Sequence, residues 1–272
     1  MVPTFAQLRS LLVYLLLSLA ALVSIFPFYW MVVGTTNTAA DIIRGKASFG
    51  PELFVNIGNF FEQVDVPRIF WNSTYLAVIA TVTTLVISSL AGYGFEIFRS
   101  KVRERIFGGL LLMLSIPFAA LMVPLFVMMA QFGLVNTYAA IVLPGIASIF
   151  IIFYFRQTSK AFPHELRDAA RIDGLKEWQI FAFIYVPVMR STYAAATIIV
   201  FMASWNGYLW PLIILQTNEK KTITLVISSL SSAYYPDFGV VMVGTVLATL
   251  PTLLVFFLLQ RRFVEGMLGS VK

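Results

Sequence analysis

Five stretches of this chain contain no charged side chain at all: residues 10–40, 69–95, 106–155, 191–218 and 238–260. An α-helix rises about 1.5 Å per residue and the hydrocarbon core of a bilayer is about 30 Å thick, so about 20 apolar residues suffice to cross it. Each stretch meets that length. Only 12% of the residues are charged, whereas a soluble domain averages about 25%. So few charges could not cover a water-exposed surface, and the chain is expected to fold in a bilayer. The stretch 106–155 is too long for one helix. Gly133 and Asn136 in "FGLVNTY" and Pro144 beyond it supply a break, which predicts a helical hairpin. The expectation is an all-α membrane protein forming a single transmembrane domain over 1–272, with six spans at roughly 10–34, 70–95, 106–130, 138–155, 191–214 and 238–260.

Orientation follows from lysine and arginine in the short connections, which accumulate on the cytoplasmic side. With six spans both termini share a side. On that side fall Arg9, Arg99, Lys101, Arg103, Arg105, Arg156, Lys160, Arg167, Arg171, Lys176, Arg190, Arg261, Arg262 and Lys272, fourteen of the nineteen basic residues. Both termini are therefore expected in the cytoplasm, and the net charge of +6 is topology rather than a nucleic-acid footprint. The first apolar run is longer than the 7–15 residues, roughly, of a signal-peptide core, and "FPFYW" after it resembles an interfacial aromatic belt. It is read as an uncleaved helix. The tail after Arg262 is only ten residues, and no soluble domain is expected there.

Several chemistries are absent from the sequence. There is no cysteine and one histidine, His164, so neither a disulfide framework nor a zinc site of familiar spacing is available, and no metal or catalytic residue is expected. No G-x-x-x-x-G-K-[ST] cradles a phosphate. No ionisable residue lies inside a proposed span, and such residues mark proton and ion pathways. If the chain moves a solute uphill, the energy comes from a partner. Neutral polar groups do lie within the spans. Thr74, Thr81, Thr84 and Ser88 recur at helical spacing near Asn72, and "SWNGYLWP" gathers Trp205, Asn206, Tyr208 and Trp210. Small hydroxyl residues serve as helix–helix glue and aromatics as an interfacial belt. Equally, amides, hydroxyls and aromatic rings suit a sugar, so Thr81, Thr84, Ser88, Trp205, Asn206 and Tyr208 stand as candidate translocation-path residues.

One segment breaks the apolar pattern. "ELRDAARIDGLKEW" (Glu165 to Trp178) carries seven charges in fourteen residues, within a loop over 156–190. Pro163 suits a first helical turn, Glu165 and Asp168 suit a helix N-terminus, and Gly174 suits a C-terminal corner with positive φ. Phe162, Leu166, Ala169 and Ala170 are expected on one face, with Arg167 and Arg171 on another and Asp168 beside Arg171. Membrane-surface helices fill their apolar face with Leu, Phe or Trp; two alanines instead permit close approach to another backbone. A second helical segment from about Leu175 leads into the fifth span, with Pro187 able to kink it.

Asp168-Ala169-Ala170, three residues, Gly174, nine residues, then Ile184-Tyr185-Val186-Pro187 resembles the Glu-Ala-Ala-x3-Gly-x9-Ile-x-Leu-Pro signature of ABC importer permease subunits, with Asp for Glu and Val for Leu. "GLVNTYAAIVLP", "WNGYLWPL" and the tail "FVEGMLGSVK" likewise resemble the six-span subunit of the maltose-type carbohydrate permeases, the binding-protein-dependent transport inner membrane components. The resemblance implies a type I importer fold in which the charged segment is a coupling helix seated in a cytoplasmic ATPase. Carried over by position, Glu165, Asp168, Ala169, Ala170 and Gly174 would form the contact and its corner, and Ile184 and Pro187 would pass motion to the fifth span. Gly269, Ser270, Val271 and Lys272 would make a second ATPase contact, and 227–238 would match an outer loop that displaces sugar from the binding protein. The implied partners are a second, homologous permease, two ABC ATPase copies and an extracytoplasmic sugar-binding protein in a bacterial or archaeal cytoplasmic membrane, with no nucleic acid. This chain would bind no cofactor, ATP and Mg being used by the ATPase, and would not itself be an enzyme. A stand-alone channel or carrier, an importer of a non-sugar solute such as a glycerol phosphate, and a membrane scaffold remain as alternatives.

Overall fold

The computed structural model describes residues 5–269, and every regular element among them is a helix. Helix α1 (Phe5–Gly34) is followed by two short helices, α2 (Ala39–Ile43) and α3 (Leu53–Gln63), before the long α4 (Val66–Ile97). Next come α5 (Lys101–Met113), α6 (Phe118–Gln131), α7 (Tyr138–Val142) with a 3₁₀ turn at Leu143–Gly145, and α8 (Ile149–Ser159). The charged segment forms α9 (His164–Ile172) and α10 (Glu177–Ile180), then a π-helical stretch Phe181–Tyr185 and the single turn α11 (Val186–Val188). The chain closes with α12 (Arg190–Trp205), α13 (Leu209–Ile214), α14 (Ile223–Ser231) and α15 (Phe238–Gly269). Four helical segments, Arg9–Gly34, Val66–Ile97, Arg190–Ile214 and Phe238–Arg261, are long and apolar enough to cross a membrane, and the number rises to six if two bent pairs each count as one span.

Those bent pairs occupy the stretch expected to be a hairpin. The turn at Gly133 and Asn136 is present, both at positive φ, but the expected continuous span 106–130 is not. It is broken into α5 and α6, which meet at 100°. Pro117 has no N–H to continue α5, and a residue preceding proline is disfavoured in helical conformation; Pro117 is instead the extended N-cap of α6. The second pair, α7 with its 3₁₀ turn and α8, bends by 42°, and Ser148 caps α8 by accepting from the Ile151 N–H.

The helices pack as two units, one of the residues up to Val66 plus Val226–Thr249, the other of Pro67–Leu225 plus the residues from Leu250. In the first, two buried asparagines hold an irregular stretch together. Asn37 Nδ2 donates to the carbonyls of Val33 and Ser48, both at 2.9 Å, and Asn56 Nδ2 donates to those of Thr35 at 2.9 Å and Asn37 at 3.0 Å. Gly239 packs directly on this hub: a Cβ there would come within 2.5 Å of Asn56 Oδ1. Such pairing is obligatory, because an unsatisfied backbone group away from water costs several kcal/mol, about 2–7.

In the second unit Asn72 is the corresponding hub. Its Nδ2 donates to the carbonyls of Glu219 and Lys221 and its Oδ1 accepts from Tyr138 OH at 2.6 Å. Asn136 Oδ1 accepts from the Gln216 N–H at 3.1 Å, tying the 132–138 turn to the chain after α13. Beneath lies a core of Met129, Ala140, Trp210, Ile214, Leu215 and Leu225. Trp210 is buried in it and donates Nε1–H to the Ala140 carbonyl at 2.9 Å. Trp205 is 2% exposed and stacks on Phe201, with Phe70 6.2 Å away. These two tryptophans, which the sequence left between an interfacial belt and a substrate path, pack inside this chain. The hydroxyl stripe on α4 is likewise internal at Thr81, Thr84 and Ser88, but not at Thr74, which is exposed.

Candidate functional site

Helix α9 is short, and its ends are well specified. Pro163 is its extended N-cap and Glu165 sits in its first turn, where a carboxylate faces the positive end of the helix dipole. At the other end the Leu175 N–H donates to the Ala170 carbonyl and the Gly174 N–H to the Arg171 carbonyl, each at 3.0 Å. This is a Schellman motif with Gly174 at C′. Gly174 has φ +82, a conformation that costs an L-residue roughly 1–2 kcal/mol. The corner expected at this glycine is therefore built as the motif demands.

The face of α9 turned inward differs from the one expected. Phe162 and Ala170 are buried, while Leu166 and Ala169 are exposed together with Glu165, Asp168 and, at 87%, Ile172. The helix buries one alanine and offers the other. Arg167 and Arg171 do not form a free basic face either. Both reach over the Gly174 corner to Glu177 on α10: Arg167 Nη2 lies 3.1 Å from Glu177 Oε1, and Arg171 Nε donates to the same oxygen at 2.6 Å. Partial burial pushes the Glu177 carboxyl up, but the hydrogen bonds from Arg171 and Arg167 outweigh it and hold the group below the usual range. Arg171 thus pairs with Glu177 rather than with the neighbouring Asp168.

Glu177 also accepts from Tyr93 OH of α4 at 3.3 Å. Tyr93 is buried in a cluster with Phe162, Tyr185 and Met189, against which Ile184 packs half-buried. The Tyr93 ring meets Tyr185 edge-on at 4.8 Å and Phe181 at 5.3 Å. Tyr185, wholly buried, shares a 2.6 Å hydrogen bond with Ser159 Oγ of α8. Pro187 lies in the exposed turn α11, just after the π-helical stretch, and the helical path breaks at Met189 before α12.

A second charged cluster lies where α4, α5 and α8 end or begin. Arg156 of α8 places Nε 3.5 Å from Glu96 of α4 and Nη2 2.5 Å from Glu104 of α5, with its guanidinium 4.0 Å from the centre of the Phe107 ring. Arg99 also pairs with Glu96. Glu96 and Arg156 are both buried. A cavity of about 460 Å³ beside them is lined by Glu96, Ile97, Arg99, Lys160 and His164.

The candidate path residues do not form one site. Thr81 donates to the Ala77 carbonyl and Thr84 to that of Gly145 at 3.2 Å, while the buried Ser88 Oγ has no hydrogen-bond partner among the described residues. Asn206 is exposed and donates back to the Met202 carbonyl, and Tyr208 is 37% exposed. The stretch 227–238, expected to be an outer loop, is helical in α14 as far as Ser231; beyond it Tyr234 and Tyr235 are almost fully exposed and stand edge-to-face at 4.7 Å. Of the tail candidates, Gly269 is the last described residue of α15, and Ser270, Val271 and Lys272 lie outside the described residues. Sequence reading overlooked Glu177, Tyr93 and the Glu96–Arg156 pair. One weak signal was available: Arg167 and Arg171, four apart on one helical face, repel each other mildly, and a carboxylate within reach relieves that.

Residues 84–269 match the family of binding-protein-dependent transport system inner membrane components. The chain is 69% identical over 266 residues to a lactose transport system permease protein of Rhizobium radiobacter, covering 98% of this chain and 97% of the relative. An arabinooligosaccharides transport system permease protein of Halalkalibacterium halodurans is 33% identical, with 93% and 92% covered. An sn-glycerol-3-phosphate transport system permease protein of Brucella abortus is 31% identical, with 97% of both chains covered. Among solved structures, a chain of a bacterial ABC transporter involved in the import of the acidic polysaccharide alginate superposes with a TM-score of 0.84 at 20% identity, over 97% of this chain and 99% of that one.

Proposed function

This chain belongs to the family of binding-protein-dependent transport system inner membrane components, and on that premise we propose that it is a permease subunit of an ATP-driven importer for a neutral disaccharide or short oligosaccharide. The observation that carries the substrate class is the 69% identity, over nearly the whole of both chains, to a lactose permease. The charge-free spans support a neutral substrate, since a phosphate usually calls for basic groups. Relatives named for sn-glycerol-3-phosphate stand at 31% identity, which leaves that reading second. A stand-alone channel and a scaffold both fit poorly with a family of binding-protein-dependent components.

In this reading the chain crosses the cytoplasmic membrane six times, counting each bent pair as one span, with both termini inside. It pairs with a second permease and two ATPase copies, and receives substrate from an extracytoplasmic binding protein. Helix α9 is the coupling helix. Its exposed Glu165, Asp168 and Ala169 face the ATPase, and Gly174 sets the corner that directs α10 toward Ile184, Pro187 and α12. The tail from Gly269 adds a second contact. The permease does no chemistry; closure of the ATPases biases a two-state element that the loaded binding protein biases from the other face. Of the path candidates Thr81, Thr84, Ser88, Trp205, Asn206 and Tyr208, the exposed Asn206 and Tyr208 are favoured, the other four being buried in the packing of this chain.

The test is purification of the tagged chain from its native membrane, followed by reconstitution with what accompanies it. An ATPase and a second permease should co-purify, and lactose uptake into liposomes should require ATP and the binding protein. Uptake by the chain alone, without ATP, would overturn the proposal.

A further inference from the structure

Covalently, α9 connects onward only through the Gly174 corner to α10 and α11. Along the chain alone, motion of α9 would therefore reach α12 but not α4. Glu177 supplies a transverse route. Its carboxylate is held on one side by Arg167 and Arg171 of α9 and on the other accepts from Tyr93 OH of α4, at 3.3 Å. Three features make this connection stiff. The Arg167 side chain is only 11% exposed, and its guanidinium lies 5.2 Å from the centre of the Phe98 ring just beyond α4. Tyr93 is 4% exposed and wedged between the rings of Phe181, Tyr185 and Phe98. Tyr185 in turn is bonded to Ser159 of α8 at 2.6 Å. The π-helical stretch begins directly after α10, at Phe181, and presents Phe181 and Tyr185 to the same tyrosine; π-helical turns recur at functional positions.

We infer that Glu177 is a positioning residue that ties α9 to α4 through Tyr93, so that displacement of the α9 segment moves α4 and α8 together with α12. The inference rests on the permease reading, since only there does α9 move with an ATPase. A purely structural clamp would lower complex yield without altering how much solute each ATP delivers, whereas a relay alters that ratio.

The experiment compares wild type, Glu177→Gln, Tyr93→Phe and the double variant as complete ATPase-containing complexes in liposomes, with lactose as the probe and uptake divided by ATP hydrolysed. Each single variant should lower lactose delivered per ATP by about fivefold or more, the low end of ordinary coupling between sites. The double variant should fall little further, as expected for members of one interaction. Wild-type uptake per ATP in both single variants would overturn the relay while leaving the permease reading intact. Absence of ATP-dependent uptake in the wild type would sink the reading and the relay together. Should Glu177→Gln fail to assemble, Tyr93→Phe decides alone, because it removes one hydroxyl and leaves the arginine clamp in place.

Discussion

Two regions of this molecule hold irregular backbone next to apolar helices, and they do so by opposite chemistry. In the 35–56 stretch the work falls to neutral amides: Asn37 and Asn56 each satisfy two backbone carbonyls, and Gly239 lies flush against one of them. From Glu96 to Glu177 it falls to charges, with Arg156 between Glu96 and Glu104, and Glu177 between Arg167 and Arg171. Both regions carry exposed apolar side chains, Ile43, Phe49 and Phe54 in the first and Leu166, Ile172 and Trp178 in the second; the second differs in that Arg167 and Arg171 are paired with Glu177 of the same segment. The basic residues here, which in the sequence mark only sidedness, are in the folded chain the joints of the segment.

The contrast can be broken at either end, and the charged end should give the larger effect. Arg156→Ala removes the buried guanidinium that pairs with Glu104 and lies 3.5 Å from Glu96, leaving Glu96 with Arg99 alone among the described residues; breaking a buried ionic cluster in this way typically costs about 3 kcal/mol, the low end for a buried pair. The melting temperature of the detergent-solubilised chain should drop by several degrees or the protein should fail to accumulate, while Arg156→Lys should be milder. An unchanged melting temperature in Arg156→Ala would mean that the cluster is ornamental. Gly239→Ala attacks the neutral region. Its Cβ meets an asparagine pinned by two hydrogen bonds, and overpacking of this kind costs about 1–3 kcal/mol. The same melting experiment should show a smaller loss, and a neutral result would mean that the 35–56 stretch adapts where the geometry says it is fixed.

Much of this was legible in the sequence, for local reasons. Charge-free runs reveal apolar helices because an unpaired charge in hydrocarbon is costly, and Gly174 reveals its corner because few other residues accept φ near +82. The break at Pro117 was also legible from the pre-proline restriction, although the length of the apolar run masks it. What could not be read were pairings across long separations. Tyr93 and Glu177 are 84 residues apart, and no local pattern distinguishes a tyrosine that meets a carboxylate from one that faces lipid. Trp205 and Trp210 carry the same ambiguity: interfacial belts and internal cores use the same residue types, and only partners such as the Ala140 carbonyl decide between them.

In the proposed complex, α9 meets the ATPase with the face bearing Ala169, while Ala170 is turned into the chain. The chain has no cysteine, so Ala169→Cys and Ala170→Cys each give it a single thiol. With a short bifunctional thiol crosslinker and single-cysteine ATPase variants, Ala169→Cys should crosslink to the ATPase, and Ala170→Cys, at a position only 4% exposed, should not. Equal crosslinking of both, or labelling of Ala169→Cys by a water-soluble maleimide at the same rate with and without the ATPase, would contradict it.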